Sequence, residues 1–142
     1  MKTLELADGD LVVTPVGHRT ISGAPKIKQE VSAALIEPYG NDRFHRDYGS
    51  TVRNLIGEVF DAETTMLAEA EVNRVLQAYI VTQRNEVLSD NLDQRRSRFD
   101  ARDVVRAITD LRVTGSYDAM RISLTFVTLS GERVTLTNEV NA

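Results

Sequence analysis

The stretch Ser22-Gly-Ala-Pro-Lys-Ile-Lys-Gln-Glu-Val-Ser-Ala-Ala-Leu-Ile-Glu-Pro-Tyr-Gly-Asn-Asp-Arg-Phe-His-Arg-Asp-Tyr-Gly49 reads as a short amphipathic helix followed by an eleven-residue loop. Pro25 fits the first helical turn, where its missing N–H costs nothing. Ile27, Val31, Ala34 and Leu35 then recur at i, i+4, i+7 and i+8, which puts them on one face. Pro38 and Gly40 stop the helix. The loop holds Tyr39, Phe44 and Tyr48, three of the eight Phe and Tyr residues of the chain, interleaved with Asp42, Arg43, His45, Arg46 and Asp47. Aromatic rings carry large apolar surfaces, so the loop is expected to pack on something, with Phe44 and Tyr48 folding back onto the helices.

The order of parts, Gly-x-x-Lys-Ile-x-Gln-Glu opening a helix and Tyr-Gly-x-x-x-Phe-His-x-x-Tyr-Gly leading into a second one, resembles the small baseplate wedge proteins of contractile phage tails. That group includes the wedge subunit often labelled lysozyme-like and a related baseplate component of type VI secretion systems. The resemblance covers most of the chain. It implies a structural subunit that joins the wedge to the tail tube and initiates sheath assembly, without a catalytic step. The implied partners are other wedge subunits and the sheath protein, with tube and hub proteins as further candidates, and the implied location is the virion tail, after synthesis in the host bacterial cytoplasm. The family's Glu-Pro-Arg triplet after its long helix is not recognisable here. After Tyr79 the chain reads Ile80-Val-Thr-Gln-Arg-Asn-Glu-Val87, so Arg84 and Glu86 supply the charges without the proline, and the motif is not transferred to them.

At 142 residues the chain is expected to form one domain, residues 1–142. The absence of cysteine excludes disulfides, thiolate metal sites and a thiol nucleophile. No run is long and apolar enough for a membrane helix and the N-terminus has no secretory h-region, so neither membrane insertion nor export by that route is expected. A net charge of −4 argues against a general nucleic-acid binder. Three of the seventeen basic residues are lysine and the other fourteen arginine, a bias that suits dehydrated interfaces and equally suits an arginine-favouring genome.

Residues 1–23 read as a tail and a hairpin, with Leu11 to Thr14 and His18 to Ser22 as short strands around Pro15 to Gly17; an edge strand or a loop fits equally. Ser50 is a suitable N-cap for a second helix striped by Val52, Leu55, Ile56, Val59 and Phe60. Asp61 caps a third, running to about Val87 and burying Ala68, Val72, Val75, Leu76, Tyr79 and Ile80. Residues 88–103 read as a charged, solvated connector, anchored by Phe99, with Asp100 capping a single helical turn through Val104 and Val105. In the connector region Arg95, Arg96, Arg98, Arg102 and Arg106 nearly cancel Asp90, Asp93, Asp100 and Asp103. Residues 104–142 give a three-stranded meander: Ile108 to Val113, then Ala119 to Leu129 with Met120, Ile122, Leu124 and Phe126 inward, then Arg133 to Val140 with Val134 and Leu136 inward. The expected fold is α+β, with three helices of residues 24–87 packed on a C-terminal antiparallel meander.

The chemistry is sparse. His18 and His45, the two histidines, have no metal-ligand spacing, and no metal or cofactor is expected. There is no phosphate-binding glycine loop, nucleophile elbow or dinucleotide fingerprint. Glu37, Asp42, Asp47 and Glu58 surround the aromatic loop and are the carboxylates a glycosidase would draw on, but each has a plainer structural role. No catalytic residues are therefore expected. The candidate residues are partner-binding: the edge strand Arg133, Val134, Thr135, Leu136 and Thr137, which lacks the proline and lysine that blunt an edge, and the loop residues Phe44, His45, Arg46 and Tyr48. A baseplate-associated peptidoglycan-degrading enzyme and an adaptor domain outside any phage particle are the alternatives.

Overall fold

The computed structural model describes residues 1–8, 10–93 and 99–141. Its C-terminal part is the sheet on which the rest is laid: β7 (Val105–Gly115), β8 (Ala119–Thr128) and β9 (Arg133–Asn141), antiparallel and in the order β7-β8-β9. In β8 the side chains alternate cleanly, and Met120, Ile122, Leu124 and Phe126 are buried on one face. Val134, Leu136 and Val140 of β9 join them. In β7 the apolar residues Val105, Ile108, Leu111 and Val113 are spaced by three, three and two. Register shifts between Val105 and Ala107 and between Ile108 and Asp110 restore them to positions opposite Thr128, Phe126, Leu124 and Ile122. A bulge adds one residue and so changes which face the next side chain takes, which is how an irregular pattern delivers a continuous apolar face.

Two α-helices cover that face, α1 (Ala24–Ile36) and α2 (Ala62–Leu92). The first buries Ile27, Val31, Ala34 and Leu35 against β9 and α2, as its periodicity predicts. The second starts where Asp61 Oδ1 accepts the Thr64 N–H at 2.9 Å, a carboxylate N-cap, and buries Ala68, Val72, Val75, Leu76 and Ile80, with Tyr79 half-buried. It packs on β7. Fully burying one such aliphatic side chain stabilises by about 1.5–3 kcal/mol, so these two stripes and the sheet face hold the fold together.

Two expectations are corrected. The second helix is not present: among the described residues there are two α-helices, and Val52–Leu55 makes one 3-10 turn. Ser50 does not cap it, because its hydroxyl donates instead to the Leu35 carbonyl at 2.6 Å. Ile56 is already extended, and Gly57 at φ 95 takes a conformation no helix contains. Val52 is buried, but Val59 is 82% exposed and Phe60 turns to lie on Gly115 of β7. The fold is still α+β. The second correction concerns the connector, whose first residues, 88–92, continue α2, with Asp90 buried. Arg95, Arg96 and Arg98 lie outside the described residues. The helical turn expected from Asp100 through Val105 does not form: Asp100 Oδ1 accepts the Arg102 N–H and its carbonyl accepts the Asp103 N–H in a non-helical turn, and Val105 already belongs to β7.

Residues 1–8 and 10–21 form more than a tail and one hairpin. Three two-residue ladders form, β1 (Thr3–Leu4) with β6 (Thr20–Ile21), β2 (Leu6–Ala7) with β3 (Asp10–Leu11), and β4 (Val13–Thr14) with β5 (Gly17–His18). They meet at a closed ring of backbone hydrogen bonds: Glu5 N–H to Arg19 O, Arg19 N–H to Val12 O, and Val12 N–H to Glu5 O, at 2.8, 3.0 and 3.0 Å. The expected hairpin is one arm of this hub. Gln29 of α1 holds the module to the body, accepting from Leu6 N–H and donating to Leu4 O, both at 2.8 Å.

Candidate functional site

The loop between α1 and the 3-10 turn is closed at its neck by backbone pairing. Ser50 N–H donates to Glu37 O and Tyr39 N–H to Ser50 O, at 2.8 and 3.0 Å. Gly49 sits inside this neck with φ 95, and a Cβ on it would lie 2.6 Å from the Glu37 carbonyl oxygen and 2.7 Å from that of Pro38. Only glycine fits. At the tip, Asp42 Oδ1 accepts the N–H groups of Phe44 and His45, and Oδ2 stands 3.2 Å from His45 Nδ1. The Phe44 N–H bond holds the Asp42 carboxyl below its ordinary range, the neighbouring His45 adding to it.

The loop is pinned to α2 by an ion pair that the sequence reading did not single out. Arg74 Nε and Nη2 reach the two oxygens of Glu71 at 2.8 and 2.7 Å, a bidentate fork. Nη2 also donates to Gly49 O at 2.9 Å, Glu71 Oε1 accepts Thr51 N–H at 2.8 Å, and the guanidinium lies 4.8 Å from the Tyr39 ring centroid. Hydrogen bonds from Arg74, then from Thr51 N–H, pull the Glu71 carboxyl below its usual value against the opposing effect of burial. The spacing Glu71, Arg74 was the available signal.

Between loop and helix lies a cleft of about 400 Å³, lined on one wall by Phe44, His45 and Tyr48 and on the other by Arg74, Ala78 and Thr82. Of the loop residues expected to bind a partner, Phe44 is 87% exposed and Tyr48 38%, while His45 and Arg46 are open to solvent. Phe44 therefore does not fold back onto the helices. Burial and the nearby carboxylates Glu37, Glu30 and Asp42 push the Tyr48 phenol up.

The second set of candidate residues is on β9. Its inner neighbour is β8, and among the described residues no strand pairs with its outer edge. Thr128 N–H donates to Glu132 O, which makes that opposed pair a hydrogen-bonded one. Counting along the ladder, Arg133, Thr135 and Thr137 fall at the alternate positions, opposite Val127, Thr125 and Ser123, where main-chain groups point away from β8. Their side chains are exposed, and Thr135 Oγ1 is 3.3 Å from Thr125 Oγ1, whereas Val134 and Leu136 are buried and belong to the core. Loop and strand lie in different layers, so the structure presents two surfaces rather than one site.

Two of the four carboxylates around the loop, Glu37 and Asp42, are engaged. Glu37 accepts from the Asn41 amide at 2.8 Å and Asp42 holds the tip. Under them runs a polar chain through the interior that the sequence reading missed: Lys26 Nζ to Glu30 Oε2 at 2.9 Å, Tyr79 OH to the same oxygen at 2.6 Å, Gln83 Nε2 to Tyr79 OH at 2.8 Å, and Gln83 again to Asp103 O and Val105 N–H at 3.0 Å each. Lys26 is 2% exposed and its ammonium also lies 5.8 Å from the Phe99 ring. Burial, then the Glu30 carboxylate, raises the Tyr79 phenol far above its ordinary value. Among the described residues no group of three or more His, Cys, Asp and Glu could hold a metal ion, and no helix is long and apolar enough to cross a membrane.

No protein-family model matches the chain. A search of curated protein sequences likewise gives no significant match. Among solved structures it is similar to a Geobacter sulfurreducens protein described as a "putative tail lysozyme", with a TM-score of 0.57 over 85% of this chain and 93% of the other, at 15% identity. At that identity the likeness establishes a shared fold.

Proposed function

We propose that the protein is a structural subunit of a phage-like contractile tail, located in the tail baseplate, and that it initiates sheath assembly through the outer edge of β9. The observation that carries this reading is the row of outward main-chain groups on Arg133, Thr135 and Thr137, together with a fold shared with a protein named for a tail. An open edge accepts another strand through main-chain bonds, with alternate side chains reading the partner. The other edge of the sheet is poorly suited to this, because its two register shifts interrupt the ladder. Partners are accordingly wedge subunits and a sheath protein, and the work is done without chemistry.

Thr135→Pro tests it. The substitution removes an N–H that points outward, so the fold is expected to persist while sheath no longer assembles on baseplates. Contractile tails of normal length from that variant would refute the reading.

The word lysozyme in the neighbour's description favours one second reading, a peptidoglycan-degrading enzyme. It requires two free carboxylates about 5–9 Å apart across a cleft. Glu37 and Asp42 are held by Asn41, Phe44 and His45. We expect no release of reducing sugar from cell wall; reproducible release abolished by Glu37→Gln or Glu58→Gln would establish the enzyme instead.

A further inference from the structure

Helix α2 carries apolar residues on two opposite sides. One side is the core stripe that ends in Leu76 and Ile80. The other holds Ala78, Val81, Leu88 and Leu92, all exposed, with Val81 at 52%, Leu88 at 58% and Leu92 at 83%. At 100° per residue the two stripes lie almost diametrically apart, so the core cannot use both. The outer positions run 78, 81, 85, 88 and 92, spaced three, four, three and four, and Asn85 fills the middle one. That spacing is the seam of a helix pair, in which the knobs of one helix enter the holes of another; a strand or loop has no matching period. A single Asn in such a seam fixes register at some cost in stability.

Charge selects between occupants. The flanking positions of the seam are Gln77, Arg84 and Asn91 on one side and Thr82 and Ser89 on the other, with no acidic residue among them. Among the described residues Arg84 has no hydrogen bond or ion pair. A second copy of this chain offers Arg84 no carboxylate, whereas a helix with Asp or Glu beside its apolar stripe does. The seam is also continuous with the loop cleft, since Ala78 and Thr82 form the cleft wall facing the exposed Phe44. We propose that the outer face of α2 is the seat of an amphipathic helix from another protein, acidic along its flanks and carrying a polar residue opposite Asn85. The inference rests on the reading of the chain as an assembly subunit and names the kind of partner for its helical layer.

The test uses the full chain and a designed helical peptide of about three heptads, with Leu at its seam positions, one Asn among them, and Glu on both flanks. Titration by fluorescence anisotropy is expected to give saturable binding, weakened at least about tenfold by Leu88→Asp and by Val81→Asp. Arg84→Glu is expected to shift preference from the Glu-flanked peptide to a Lys-flanked one. Circular dichroism of the variants guards against misfolding, which is not expected because these side chains are exposed. No binding at about 1 mM peptide, or binding indifferent to Leu88→Asp, overturns the proposal. So does a dimer of the chain alone in sedimentation that Leu88→Asp dissolves, since that assigns the seam to a second copy. Thr135→Pro in the sheet layer leaves all these readouts untouched, so failure of the strand-docking reading and failure of this one are separable.

Discussion

The α-carbon of Gly49 faces the carbonyl oxygen of Glu37 so closely that a Cβ would stand 2.6 Å from it, with backbone on every near side. Neither oxygen in the way belongs to a flexible side chain. Gly49→Ala is therefore expected to open the neck of the loop, combining the steric conflict with the strain of φ 95, which alone costs about 1–3 kcal/mol. A fall of several degrees in Tm checks it; an unchanged Tm would show that the neck relaxes freely.

Phe44→Ala is expected to behave in the opposite way. With its ring 87% exposed, truncation forfeits almost no buried area, and the change in stability should stay within about 0.5 kcal/mol. Denaturant melts measure this directly. A loss in the range of about 3–5 kcal/mol, usual for a buried Phe, would mean that the ring packs.

The Glu71 carboxyl is held below its ordinary range, first by Arg74, so its sign with pH is fixed. Its contribution is fully present above the ordinary glutamate pKa of about 4.3 and is lost as pH falls through the lower folded value. Between those two values the unfolded chain binds more protons, and stability rises with pH. Glu71→Gln should flatten this acid limb of Tm against pH while lowering Tm at neutral pH. An acid limb as steep as that of the parent protein would place the titration elsewhere.

Inside the helical layer, Glu30→Ala is expected to be among the most damaging single changes. It strands the Lys26 ammonium at 2% exposure, a situation that costs about 3–5 kcal/mol. The pair Lys26→Met with Glu30→Leu removes the buried charge along with its partner and should recover much of that loss. A double-mutant cycle gives the coupling; simple additivity would contradict it.

What could be read from the sequence follows the physics of each element. The inward alternation of β8 and the stripe of α1 repeat at the period of their own geometry, and both appear as read. Residues 52–60 also repeat at a helical period, but the period is silent about Gly57 and about Ser50 turning to another helix's carbonyl. Residues 105–113 show the reverse, a broken period that two bulges repair. Lys26, Gln83 and Asp103 occupy buried positions under polar names, so a rule that places polar side chains outside misses all three. The exposed edge of β9 followed from strand order, whereas the exposure of Phe44 ran against the composition argument.

Glu5, Val12 and Arg19 are seven residues apart, and each donates to one member of the ring and accepts from another. A closed cycle has no end from which to fray: releasing one arm removes the acceptor or donor of the next. Two-residue ladders are too short to persist alone, so the three arms stand or fall as a unit. The amides of residues 5, 12 and 19, which lie between the ladders and join all three, should exchange hydrogen at one common rate and behave as a single latch beside α1.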